Sequence, residues 1–186
     1  MADDPTDKLF RELDREFPKF RFVYKDESWL MRAIDVFLKV VSLGMMRTFM
    51  TKFTTVVGYT MYVSRKGWYD LPPVGRAIVM RHERVHMRQR RKYGMLLYSL
   101  LYLFVPLPMF LSYFRMRFER EAYEESILAA VELGLDSKDG KFRAGVIRAF
   151  VSPSYLWMWP FRKSTEAWYD EAAVRAMAKA FAARTP

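Results

Sequence analysis

No cysteine occurs in these 186 residues, so disulfides, thiolate metal sites and a cysteine nucleophile are all excluded. Histidine is nearly absent as well: His82 and His86 are the only two. Any metal ion must then be held by these imidazoles and by Asp or Glu carboxylates. There is no zinc-finger, RNP or basic heptad pattern, which argues against nucleic acid as a partner despite a formal net charge of +10. The chain has no internal repeat and no long low-complexity linker. Its opening, "MADDPTDKLFRELDREFPKF", is polar and acidic, the opposite of a secretory signal, and sets a cytoplasmic expectation.

What is present is apolar and aromatic. Hydrophobic residues make up 52% and aromatics 17%, enough to bury a core and to exclude general disorder. The length suits a single domain over 1–186. The expected fold is mainly α, with one small β element (α+β). Residues 6–16 read as a helix ended by Pro18. Residues 28–43 read as an amphipathic helix capped by Ser28 and stopped at Gly44, with Trp29, Ile34, Phe37, Leu38 and Val41 at helical spacing. The stretch 48–64, rich in Thr, Val, Phe and Tyr, predicts a strand element in which Gly58 marks a bulge or hairpin turn. "RKGWYDLPP" reads as a loop. Pro73 opens a helix over 73–91. A second long helix spans 112–134, closed by Gly134, and shorter ones follow at 141–150 and 164–183. The last is alanine-rich and should pack closely on a neighbour.

The two histidines fall in "RHERVHMRQ", residues 81–89. Chance would place two histidines four apart with Glu after the first roughly once in a thousand such chains. Four residues apart on a helix, they share one face and can offer imidazole nitrogens to one ion. Glu83, rotated about 100° from His82, lies beside such an ion and can take a proton from its bound water. These are the parts of an HExxH zinc site: two neutral imidazoles, an open coordination position and a general base. Zn2+ needs a third protein ligand, here a carboxylate. The helix at 112–134 offers Glu119 and Glu121. Ala122, Ser126, Ala129 and Ala130 form a small-residue stripe on nearly the Glu119 face, which would let two helices approach and favours Glu119. Glu121 is the alternative, with Glu125 one turn on. Gln89, a turn after His86, could orient the site. Tyr123, Tyr155 and Tyr169 are candidates for oxyanion stabilisation.

"HERVH" on one helix and "EREAY" on a following one resemble the gluzincin metallopeptidases over about residues 74–130. In that group the glutamate ligand often stands in E-x-x-A followed by Asp or Glu. Matching Ala122 places the ligand at Glu119, with Tyr123 where an acidic residue is usual. The resemblance implies a zincin-like helical core, with an edge strand beside the HExxH helix holding an extended substrate. Residues 54–64 are the candidate for that strand.

Residues 94–114, "GMLLYSLLYLFVPLPMFLSYF", carry no charge and match a transmembrane helix in length. A straight span would hold its ends about 30 Å apart, too far for His86 and Glu119 to reach one ion. Pro106 and Pro108 would also break a helix. The expectation is an apolar hairpin, either buried or re-entrant at an anionic membrane surface, with the flanking Arg and Lys residues on one side.

The sequence thus predicts a hydrolase: a zinc metallopeptidase acting on a peptide or protein substrate. The competing expectation is a non-catalytic, zinc-stabilised binding or membrane-peripheral protein. Glu83 separates the two, since a purely structural metal site has no use for it.

Overall fold

Three short strands organise the first part of the chain. The structure is a computed structural model that describes residues 4–104, 111–136, 140–153 and 157–184. Strand β1 (Arg21–Tyr24) pairs in parallel with β3 (Thr60–Val63), and β2 (Thr55–Val57) pairs antiparallel with the other side of β3. The β2–β3 connection is the two-residue turn Gly58–Tyr59, with Gly58 at φ 73°, a conformation that suits glycine. Around this sheet lie helices α1 (Pro5–Glu16), α2 (Trp29–Val41), α3 (Phe49–Lys52) and α4 (Arg65–Asp70), and the long α5 (Pro73–Tyr93) follows. The second part is helical: α6 (Met95–Phe104), α7 (Tyr113–Glu132), α8 (Gly140–Val151) and α9 (Arg162–Ala182). The chain is therefore mainly helical with one small sheet. It divides into two compact units, residues 1–91 and 92–186.

In the first unit, Asp4 caps α1 by accepting from the Thr6 amide at 2.8 Å, and Pro5 occupies the first turn, where its missing N–H costs nothing. Leu9 and Leu13 turn inward. Phe10, Phe22 and Trp68 form an aromatic cluster with centroids 5.0–6.4 Å apart. Three elements differ from the sequence expectation. Residues 49–52 are a helical turn, not strand. "RKGWYD" is helix α4, because Ser64 caps it through the Gly67 amide (3.2 Å) and Trp68 needs burial. Helix α2 forms, with Ser28 as its cap, but its predicted apolar face splits: Leu38 is buried and Ile34 half-buried, while Trp29 and Phe37 face outward. The helix is apolar on opposite sides, so periodicity alone could not choose between them.

In the second unit, α7 ends at Gly134 (φ 82°), where the Leu135 amide reaches back to the Ala130 carbonyl at 2.8 Å. Ala172, Ala173, Ala176 and Ala180 of α9 pack into one core with Ile127, Phe150 and Tyr169. Within the apolar segment, α6 is described to Phe104. Tyr98 packs on Phe118 of α7 with centroids 5.1 Å apart, so α6 and α7 lie against each other. Residues 105–110, including Pro106 and Pro108, lie outside the described residues, as does Tyr155. Among the described residues no helix is long and apolar enough to cross a membrane.

Candidate functional site

Helix α5 is fastened on its charged side and buries the opposite one. Arg84 donates to Glu12 (2.8 Å) and Glu16 (2.6 Å), and Arg88 donates twice to Glu16 (2.6 and 2.9 Å). The hydrogen bonds from Arg88, then those from Arg84, hold the Glu16 carboxyl at about 2, well below its ordinary value. These ties fix the rotation of α5 against α1. They turn Ala77, Met80, Glu83, His86, Met87 and Gln89 inward.

On that inward face His82 and His86 bring their Nε2 atoms to 3.1 Å. His86 is 8% exposed, and its Nδ1 lies 3.0 Å from Oε1 of Gln89, itself buried. An amide oxygen only accepts, so this contact favours the tautomer with the His86 proton on Nδ1 and Nε2 turned toward His82. Two imidazole nitrogens on one tetrahedral zinc, each at about 2.05 Å, stand about 3.3 Å apart. The observed spacing is close to that value, and the donor set suits zinc.

Glu83 is 6% exposed, an unusual position for a carboxylate unless it is paired or working. A residue the sequence did not single out supplies a charge nearby. Lys25 is 1% exposed, donates from Nζ to the Phe49 carbonyl at 2.9 Å, and sits 3.5 Å from the Phe49 ring centroid. Burial pulls its ammonium down to about 7, and the charges of Glu83 and Asp35 oppose that fall. No local pattern in "YKDES" marks this lysine.

In the second unit, α7 separates the two carboxylates weighed as third ligand. Glu119 is 9% exposed, on the face where Ala122, Ser126, Ala129 and Ala130 are also buried. Glu121 is exposed and Glu125 half-buried. The Tyr102 hydroxyl donates to Oε1 of Glu119, and the Arg115 guanidinium lies 5.4 Å from the Tyr102 ring. Burial first, then the negative charge of Glu119, pushes the Tyr102 phenol well up, so it stays protonated as a donor. Tyr102 escaped the sequence reading because, inside an uncharged run, a tyrosine counts as apolar. Of the tyrosines that were named, Tyr123 packs on Phe150 at 5.5 Å and Tyr169 is buried in the core of α7, α8 and α9.

The stretch considered for substrate binding, 54–64, holds two strands: β3 is central and paired on both sides, whereas β2 is an edge. The edges are β1 and the three-residue β2. Comparison with family models, with curated proteins and with solved structures gives no match for this chain.

Proposed function

We propose that this chain is a zinc-dependent peptidase of zincin-like build, in which His82, His86 and Glu119 hold the metal and Glu83 is the general base. One observation carries the reading: on α5 His82 and His86 bring their Nε2 atoms to 3.1 Å, with the carboxylate of Glu83 buried on the same helix.

Zinc held there would supply a Lewis acid able to polarise a carbonyl and to lower the pKa of a bound water toward neutral. The chain's own residues do the rest. Gln89 favours the His86 tautomer whose proton is on Nδ1, so that Nε2 can act as a donor to the metal. Tyr102 orients the Glu119 carboxylate through the hydrogen bond its hydroxyl donates. Glu83 takes a proton from water as the scissile carbonyl is attacked, then returns it to the leaving amine.

The test is Glu83→Gln, assayed for metal content and for cleavage of a dye-labelled unfolded protein. The substitution should leave zinc binding intact and lower the cleavage rate about 10²–10⁴-fold. A Gln variant that cleaves like the wild type removes Glu83 from the chemistry. A wild type that holds zinc but cleaves nothing favours the zinc-stabilised binding protein.

A further inference from the structure

Helix α2 carries an apolar face that nothing in its own unit covers. Trp29, Val36, Phe37 and Val40 are 78%, 61%, 59% and 69% exposed, and Leu43 just beyond the helix is 89% exposed. At 100° per residue the four helical positions fall within an arc of about 100°. The inward residues Met31, Asp35 and Leu38 occupy the opposite side, so this stripe is not a misplaced core face.

The end of α2 adds a second, independent observation. The Gly44 amide bonds the Lys39 carbonyl (2.7 Å) and the Leu43 amide bonds the Val40 carbonyl (3.2 Å), the Schellman arrangement. The left-handed residue in that arrangement is usually glycine. Here it is Leu43, at φ 49°, a left-handed conformation that is unfavourable for a residue with a Cβ. Packing does not repay the cost, because the side chain points into solvent. A strained leucine held outward beside Phe37 and Val40 fits an insertion role.

Charge selects the occupant. Between Ser28 and Phe53 the cations Arg32, Lys39, Arg47 and Lys52 are all exposed. The one carboxylate there, Asp35, is buried and bonded to Lys39 at 2.6 Å. A second copy of this face would set these cations against one another. An anionic bilayer instead takes the apolar stripe below its headgroups and the cations at its surface. Trp29 at the helix start suits the interfacial depth. We infer that α2 is an interfacial membrane-docking helix that lies flat on an anionic lipid surface, with Trp29, Phe37, Val40 and Leu43 inserted. The inference is independent of the metal site.

Co-sedimentation with phosphatidylcholine vesicles, with and without phosphatidylglycerol, tests it. The wild type should pellet with the anionic vesicles and stay in solution with the neutral ones. Val36→Asp with Phe37→Asp should weaken anionic binding at least about tenfold, and Arg32→Gln with Lys52→Gln should weaken it about fivefold per charge. Because a variant can lose its fold, Leu43→Gly serves as a second probe. Glycine relieves the left-handed strain, so this variant should melt no lower than the wild type and still bind vesicles less. The inference is overturned if the wild type ignores anionic vesicles or binds neutral ones equally well. It is also overturned if the double-Asp variant, folded by circular dichroism, binds undiminished. Sedimentation velocity showing a wild-type dimer that the double-Asp change dissociates would assign the face to a second copy instead.

Discussion

His82 and His86 hold their Nε2 atoms 3.1 Å apart, and Nδ1 of His86 is fixed by Gln89 at 3.0 Å. In the proposed metal site this pair would be arranged before the ion binds, and Gln89 would set which His86 nitrogen faces it. Gln89→Leu keeps the volume and removes the acceptor. Zinc affinity should fall about 10–100-fold, read by competition with a chromophoric chelator. An unchanged affinity would reduce Gln89 to a packing residue.

The two glutamates of "EREAY" are distinguished by exposure. Glu119 is buried and held by Tyr102, whereas Glu121 faces solvent. Glu119→Gln should cost at least about a hundredfold in zinc affinity, and Glu121→Gln less than about threefold. Tyr102→Phe should fall between them, because it removes only the hydrogen bond that orients the ligand. A larger loss at Glu121 reverses the assignment.

Glu16 makes stability depend on acid. Its folded carboxyl titrates at about 2 and its unfolded one at the ordinary 4.5. The stabilisation is therefore complete above pH 4.5 and lost as pH falls toward 2. Screening by solvent limits its size to about 1 kcal/mol. Glu16→Gln should lower the melting temperature at pH 6 and flatten the fall between pH 4.5 and 2, followed by circular dichroism. A parallel acid limb in the variant would contradict the Arg84–Glu16–Arg88 clamp.

Lys25 works at the other end of the scale. Its proton leaves at about 7 in the folded chain but near 10.5 when unfolded. Between these values the unfolded chain holds more protons, so this group makes stability rise with pH through that window. Lys25→Met should remove the rise and be the more stable protein at pH 6. If chemical denaturation gives both proteins the same slope from pH 7 to 10, Lys25 is not held in the desolvated environment described.

Much of this molecule was legible before folding. Two histidines at helical spacing after Pro73 can hardly mean anything but one helix face, and Gly134 ends α7 because only glycine relaxes comfortably at φ 82°. What stayed hidden depends on long-range packing. Helix α4 contains Gly67 and reads as a loop until Ser64 caps it and Trp68 finds the cluster of Phe10 and Phe22. Helix α2 is apolar on two sides, and only the fold shows which one is covered. Tyr102 and Lys25 are ordinary letters in their segments. Their roles come from Glu119, Phe49 and Glu83, which lie far away in sequence.

Zinc content tests the central claim most directly. The purified wild type, after gel filtration in metal-free buffer, should carry about one zinc per chain by elemental analysis. Glu83→Gln should carry the same, and His82→Ala with His86→Ala essentially none. Equal zinc in the wild type and the double-alanine variant, or none in either after refolding with excess zinc, would contradict the metal site and the peptidase reading built on it.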